Sequence, residues 1–316
     1  MEMMTKRNTA INSAPVIIFL LFFLLPSAAG AEGAGSTGAS YLELPVGGTV
    51  ISMGETGAAN SSAPFSWLMN PASLANCSET GIGIFHSQWI MDTNYNNAFV
   101  MKRVHPRIIF GAGLTYLSAP EIQGFNTMGE KTNPLKNNSL SGSVGISFTP
   151  AEYLGIGVNL KHLQEKIADY SARGYALDVG ILVKPPVSGL QFGVSANNIG
   201  PKIKFISHQE ELPFCARFGG SYSVKGLFKK CRLTIAADMV KPKYEDIYGC
   251  FGGELEIGEI LFLRSGYVAE KSRIADGFTA GGGINLGKEF RIDYAYTPYG
   301  DLGNFHRISI FYRLNR

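Results

Sequence analysis

Residues 139–148 read SLSGSVGISF, and the side chains of this stretch alternate in character. One parity carries Leu140, Val144, Ile146 and Phe148, whereas the other carries only serine and glycine. Successive side chains of a β-strand point to opposite faces. The pattern therefore predicts a strand with one apolar face and one face of small or polar side chains.

The same alternation recurs along most of the chain after residue 79 and predicts about fourteen strands. We place them at 79–87, 94–104, 107–117, 139–149, 152–165, 172–184, 189–198, 214–225, 231–240, 246–257, 260–269, 277–286, 289–297 and 306–314. Bacterial barrels that cross a membrane have an even number of antiparallel strands. The strand count is therefore compatible with a closed barrel.

The connections between these strands alternate in length, which is an independent argument for a barrel. Short connections such as His105-Pro106 and Gly287-Lys288 follow even-numbered strands. Longer connections mostly follow odd-numbered strands, at 118–138, 166–171, 199–213, 241–245, 270–276 and 298–305. Outer-membrane barrels combine short turns at one end with long loops at the other. We therefore predict an all-β fold, a transmembrane antiparallel β-barrel of about 14 strands.

A soluble β-sandwich is the alternative, because one face of its sheets also alternates with a face in water. Such a water-exposed face usually carries lysine, glutamate and threonine, whereas here glycine, serine and alanine dominate. Only 17% of the 316 residues are charged, against about 25% in average soluble domains. These features favour a barrel whose apolar face contacts outer-membrane lipid.

The first 31 residues have the features of a secretory signal peptide. Lys6 and Arg7 precede an apolar run over residues 16–25, and Ala29-Gly30-Ala31 fits the small-residue cleavage pattern. We expect 1–31 to be removed, with export to the outer membrane of a Gram-negative-type bacterium. The mature chain would be nearly neutral, which gives no basic patch for nucleic acid.

Residues 53–74, MGETGAANSSAPFSWLMNPASL, precede the first predicted strand and are too polar to cross a membrane. Asn70 is a good helix N-cap, and proline at the first helical position loses only an N–H that has no partner there. We predict that 32–78 form a plug inside the barrel of residues 79–316. Its motif residues are Trp67, Asn70, Pro71 and Ala72. The alternative is an ordinary surface loop.

The parity that faces away from lipid carries charges of both signs. The candidate polar residues of the lumen are Lys161, Asp178, Arg217, Asp238, Arg291 and Asp293. They either pin the plug or pair with one another across the barrel wall, because an unpaired buried charge is costly. A charged lumen suits the handling of proteins better than the passage of apolar solutes, and this favours a protein-handling role.

Two loops carry apolar residues that can form a partner surface. These residues are Phe125 and Met128 in 118–138, and Phe205 and Ile206 in 199–213. The five histidines form no catalytic or metal-binding spacing, and the four cysteines form no CxxC pair. We expect neither an enzyme nor a bound cofactor or metal.

Several motifs together resemble the PorV/PorQ family, which is itself similar to FadL-type outer-membrane transporters. They include Asn70-Pro71-Ala72-Ser73-Leu74, Phe85-His86-Ser87-Gln88-Trp89, Asn197-Asn198-Ile199-Gly200 and Asp293-Tyr294-Ala295-Tyr296. The sequence departs from the family pattern at Ser73, where glycine is usual, and ends on Arg316 instead of phenylalanine.

The resemblance implies a fourteen-stranded barrel with its N-terminal segment in the lumen. It also implies a non-enzymatic role in type IX-like secretion, with exported cargo proteins and secretion components as partners. Two alternatives remain from other classes. One is a FadL-like passive transporter of hydrophobic small molecules, and the other is a structural barrel of the envelope.

Overall fold

The computed structural model describes residues 37–60, 63–77, 80–206, 208–226, 230–269 and 277–314. The predicted signal peptide, residues 1–31, lies outside the described residues. Within them no helix is both long and apolar enough to cross a membrane.

Sixteen strands form in the described residues. They are β1 (Gly81–Gln88), β2 (Asn94–His105), β3 (Ile108–Ser118), β4 (Asn137–Ala151), β5 (Leu154–Ile167), β6 (Tyr170–Val183), β7 (Leu190–Ile199), β8 (Ile203–Phe205), β9 (His208–Glu210), β10 (Cys215–Lys225), β11 (Cys231–Pro242), β12 (Tyr248–Ile257), β13 (Leu261–Ala269), β14 (Gly277–Leu286), β15 (Phe290–Pro298) and β16 (Asn304–Arg313).

Fourteen of these strands close into one antiparallel barrel, and this confirms the predicted fold class. Each strand pairs with its sequence neighbours, except that β7 pairs with β10 across the small β8–β9 hairpin. The ring closes where β1 pairs with β16, so that Ile84 lies opposite both Ala98 and Ile310. Closure leaves no strand with an unpaired edge.

Five short 3₁₀ turns and one α-helical turn complete the described elements. The 3₁₀ turns are Ser40–Glu43, Ser66–Leu68, Pro71–Asn76, Ile90–Asp92 and Gly300–Leu302. The α-helical turn, α1, spans Gly48–Ser52.

The barrel has a loop end and a turn end. The loop end carries the connections that follow β1, β3, β5, β7, β11 and β15, and the turn end carries those that follow β2, β4, β6, β10, β12 and β14. The longer connection predicted at 166–171 is wrong. The two strands continue pairing up to Ile167 and Tyr170, and only Ala168 and Asp169 form the turn. Ala168 has a φ of 54°, which permits this tight reversal.

Most strands alternate residue by residue between an exposed and a buried face. Along β5, Ile156, Val158 and Leu160 are exposed, whereas the intervening positions, such as Asn159, are buried. The exposed side chains form an apolar belt around the outside of the barrel. The buried side chains face the lumen.

The N-terminal segment, here meaning residues 37–60 and 63–77, occupies much of the lumen. Its helix α1 packs on β14 and β15, and its turn Pro71–Asn76 packs on β4, β5 and β6. An apolar cluster lies between segment and wall, with Phe65 and Trp67 against Phe85 and Phe99. The inward face is therefore buried against this segment.

An apolar belt in contact with lipid should be intolerant of charge at mid-height. We predict that Val158→Arg lowers the free energy of unfolding in bilayers by about 2–4 kcal/mol, because the guanidinium is desolvated there. The matched control, Asn94→Arg, adds the same charge at the exposed loop end of β2 and should change stability by less than about 1 kcal/mol. Urea unfolding of the barrel in lipid vesicles measures both variants. Equal, negligible effects would contradict a lipid-facing belt.

Candidate functional site

The N-terminal segment turns at Asn70, whose side chain makes hydrogen bonds in two directions. Its Oδ1 accepts from the backbone N–H of Ala72 at 3.0 Å, which caps the turn that begins at Pro71. Its Nδ2 donates to the carbonyl of Ala58 at 2.6 Å and to that of Ile181 on β6 at 3.3 Å. The Asn70 amide thus joins two parts of the segment to the barrel wall.

Glycines on the inner wall let this turn approach the strands closely. A Cβ atom on Gly157 of β5 would overlap the backbone of Pro71 and Ala72, and one on Gly180 of β6 would overlap the Asn70 side chain. The small inward residues therefore provide a groove whose depth matches this turn.

Trp67 is fully buried between the segment and the wall. Its ring lies over Gly145 on β4 and Gly111 on β3, and it meets the ring of Phe99 edge to face at 5.8 Å. The four motif residues proposed from sequence thus all lie inside the barrel, and Asn70, Pro71 and Ala72 form one turn.

The first pair of lumen charges binds the backbone of the N-terminal segment. It consists of Arg217 on β10 and Asp238 on β11. Their side chains are 3.0 Å apart. Asp238 Oδ2 accepts from the backbone N–H groups of Gly57 and Ala58 at 2.7 and 2.9 Å. Arg217 donates to the carbonyl of Glu55 at 2.8 Å. The pair therefore neutralises itself and holds the segment at the same point.

The second pair, Lys161 on β5 and Asp178 on β6, holds an irregularity in the wall. The two groups are 2.8 Å apart. Asp178 accepts from the backbone N–H of Asn198 at 2.8 Å, and Lys161 donates to the Asn198 side chain at 2.8 Å. Asn198 has a φ of 61° where the β6–β7 register shifts. The pair thus satisfies polar groups that the bulge releases from the ladder.

The third pair, Arg291 and Asp293 on β15, belongs to a larger network. Arg291 Nε lies 3.1 Å from Asp293, and Arg264 on β13 lies 2.8 Å from the same carboxylate. Arg264 also donates to Glu254 on β12 at 2.6 Å. The Arg291 guanidinium lies over the Phe262 ring at 4.3 Å. Removing these charges from water costs free energy, and the ion pairs that they form with one another offset this cost.

Several other inward side chains, which were not among the candidates from sequence, also bind the backbone of the segment. Glu165 accepts from Ala39, Ser309 from Gly48 and Thr279 from Gly54, while Asn197 donates to the carbonyl of Met69. Two-residue alternation of the strands could have placed Glu165, Thr279 and Ser309 on the lumen face from the sequence alone. Asn197 lies next to the bulge, where parity fails.

A cavity of about 100 Å³ lies on the loop-end side of the segment. Its apolar lining comes mostly from the segment itself, and its polar lining comes mostly from the barrel wall. The apolar residues include Leu42, Leu44, Val46, Leu68, Met69 and Tyr95. The polar residues include Glu43, Lys161, Asn198, Arg217 and Glu245. Of these, Lys161 and Arg217 form the ion pairs described above.

A wider cavity of about 830 Å³ opens at the turn end. Pro64, Asn76 and Cys77 of the segment separate it from the interior. Its walls carry Arg232, Glu254, Glu256 and Arg291 beside the apolar Met101, Phe262 and Phe311. The segment therefore lies between a small loop-end chamber and a wider turn-end vestibule.

The four loop candidates have different environments. Phe125, Met128 and Ile206 are exposed by 61%, 83% and 67%. Phe205 is half-buried and packs against the apolar cluster between segment and wall. Three of the four are thus available on the surface.

Loops at the loop end are joined by the carboxylate of Glu211. It binds Lys243 and Tyr244 in the β11–β12 connection, and Lys202 at 3.2 Å. These donors lower the pKa of Glu211 to about 2. Because its pKa is depressed, the contact is fully present above the usual range near pH 4 and is lost as the pH falls through about 2.

Solved structures of outer-membrane transporters share this fold. The toluene transporter TodX of P. putida matches at a TM-score of 0.62 and 11% identity, over 86% of this chain and 99% of that one. A FadL homologue of Pseudomonas aeruginosa matches at 0.59 and 10%, with the same coverage. The toluene transporter TbuX of Ralstonia pickettii matches at 0.57 and 13%, again with the same coverage. At these identities the likeness shows the fold alone.

No family model matches the chain, and no curated protein matches it. The resemblance to the PorV/PorQ family and the role in type IX-like secretion therefore stay predictions. The fold that PorV/PorQ and FadL-type proteins were expected to share is the part that the structure supports.

Close packing between Gly157 and the Pro71 turn predicts a specific failure. Gly157→Val should displace the turn and lower the free energy of unfolding by about 3 kcal/mol, because backbone stands where the side chain must go. Chymotrypsin cleavage after Phe65 or Trp67 should become faster. The matched control is Gly142→Val, which points outward with only Leu114 nearby at 3.5 Å. A segment equally protected in both variants would contradict the packing.

Proposed function

We propose that this chain is a non-enzymatic barrel that lets small hydrophobic molecules cross the outer membrane of a Gram-negative-type bacterium passively. The observation that carries the proposal is the chamber on the loop-end side of the segment, where the segment contributes an apolar wall of Leu42, Leu44, Val46, Leu68 and Met69. The similar fold of two toluene transporters supports it.

The charged lumen does not argue against an apolar solute. The Arg217–Asp238 and Lys161–Asp178 pairs neutralise themselves, and their remaining hydrogen bonds go to the segment and to the bulge at Asn198. Paired charges that are already hydrogen-bonded present little net field to a passing molecule. The earlier inference from lumen charge to protein handling therefore does not follow.

The size of the chamber limits the solute. Its volume is about 100 Å³, and an engineered apolar cavity of about 150 Å³ in another protein accommodates benzene. We infer that a molecule with a single ring, or an aliphatic one of similar bulk, is bound first. Further passage requires the N-terminal segment to move. Its Leu68 and Met69 line the chamber, and its Pro64, Asn76 and Cys77 line the turn-end vestibule.

Placement in a membrane is supported by the outward belt. Ile84, Val144, Leu160 and Ile308 are exposed by 40–60% on separate strands, and contiguous exposed apolar surface of this extent is rare on soluble monomers. Lipid is the partner that such a closed belt fits, with the loop end directed outward.

Filling the chamber should slow passage. Leu68→Trp places an indole in the space, so uptake of radiolabelled toluene into vesicles carrying the barrel should fall about tenfold, given the loss of apolar burial for the solute. The control Ile199→Trp adds the same group on the exposed outer face of β7. Unchanged uptake in a correctly folded Leu68→Trp barrel would count against the chamber as the route.

Escort of exported proteins is a second candidate, favoured by the exposed Phe125, Met128 and Ile206. Under this function, deletion of 120–134 should abolish co-purification of secreted proteins from solubilised outer membrane and leave toluene uptake unchanged. Under the transport function, neither the intact nor the shortened chain should retain secreted proteins above background. Pull-down followed by mass spectrometry distinguishes the two.

A further inference from the structure

The β5–β6 hairpin projects basic side chains outward at the loop end. Lys166 on β5 and Arg173 on β6 are both exposed, and they occupy the same outward parity as the belt residues Leu160 and Val179. The register places Arg173 opposite Gln164, and Lys166 opposite both Ser171 and Asn138. Two cations thus lie on adjacent strands of one surface.

Neither cation forms an ion pair in the described part of the chain. The neighbouring Glu165 points inward and accepts from Ala39, while Asp169 lies exposed in the hairpin turn without an ion pair to either group. Lys136 is different, because it pairs with Glu121 at 2.8 Å. Lys166 and Arg173 are therefore available to an external anion.

The height of the pair above the belt fits a lipid headgroup. Arg173 lies four residues of strand beyond the level of Leu160. A rise of about 3.4 Å per residue and a tilt of about 40° place Arg173 roughly 10 Å above that level, and Lys166, six residues beyond Leu160, roughly 16 Å above it. Tyr175 lies between, 59% exposed and 5.0 Å from the ring of His162. Tyrosine is enriched at this depth of membrane proteins.

Other described strands lack this arrangement at the same level. On β1, β2, β3 and β16 the outward residues nearest the loop end are Gln88, Asn94, Ser118 and Asn304. Lys241 on β11 is outward but donates to the carbonyl of Glu245. The basic pair is therefore a local feature of β5–β6, directly above the apolar Val144, Leu160 and Leu177.

From this juxtaposition we propose that Lys166 and Arg173, with Asn138 and Tyr175, form a binding site for the phosphorylated headgroup of a lipid in the outer leaflet. The lipid's acyl chains lie along the outward face of β4–β6. This rests on the membrane placement made under the proposed function, but it does not depend on transport. The site would fix the β5–β6 hairpin relative to the membrane surface.

The test is titration of the purified full chain, in uncharged detergent, with diphosphoryl lipid A and with its dephosphorylated analogue. The test variant is Lys166→Gln/Arg173→Gln. The control is Lys131→Gln/Lys204→Gln, which removes two exposed basic groups elsewhere at the loop end. One basic group near an anionic headgroup tightens binding about fivefold. The test variant should therefore bind the phosphorylated lipid about thirtyfold more weakly than the wild type and the control.

Binding of diphosphoryl lipid A that is equal in the test variant and the wild type would overturn the proposal. Wild-type binding that is equal for the two lipids, or absent for both, would also overturn it. Toluene uptake measured on the same proteins keeps the two proposals apart. If the wild type takes up toluene but does not prefer diphosphoryl lipid A over its dephosphorylated analogue, only the lipid site is overturned. If it keeps that preference but takes up no toluene, only the transport function is overturned.

Discussion

Closure of the sheet between β1 and β16 is the constraint on which the rest of the structure depends. Once Ile84 pairs with both Ala98 and Ile310, the strands have partners on both sides all the way round the ring. A ring of this kind has only two faces, and two-residue alternation assigns every side chain to one of them. The apolar set then faces outward all round, and the small and charged set must be accommodated inside.

Fourteen strands enclose more space than the inward glycines and serines can fill. The N-terminal segment fills it with backbone at the places where side chains are missing, as at Gly157 and Gly180. Its N–H groups and carbonyls then need partners, and Asp238, Arg217, Glu165 and Asn70 supply them. The inward charges are thus part of the packing of the segment. The chamber that remains is small for the same reason.

The sequence was sufficient for most of the fold, because alternation and the parity of loop lengths both follow from the geometry of a closed ring. Parity also assigned Lys161, Asp178, Arg217, Asp238, Arg291 and Asp293 to the lumen side. Parity could not show which charges form ion pairs. The Arg217–Asp238 contact depends on the β10–β11 register and on the path of residues 55–58 through the lumen. The β8–β9 hairpin and the bulge at Asn198 were also missed. Neither has a periodic signal.

The lumen charges alone do not distinguish the handling of proteins from the passage of an apolar solute. The effect of these charges on a solute depends on the ion pairs that they form, whereas the sequence shows only the individual charged residues. The apolar chamber could not be inferred either, because its lining residues come from two separate parts of the segment and from several strands.

The central claim is that the exposed face of the strands contacts lipid while the buried face contacts the N-terminal segment. Spin labels placed one at a time along residues 154–162 of β5, in lipid vesicles, test it most directly. The account predicts that labels at 156, 158 and 160 collide with oxygen and not with a water-soluble nickel chelate. Labels at 157 and 159 should collide with neither. Strong collisions with the nickel chelate at 156, 158 and 160 would contradict it.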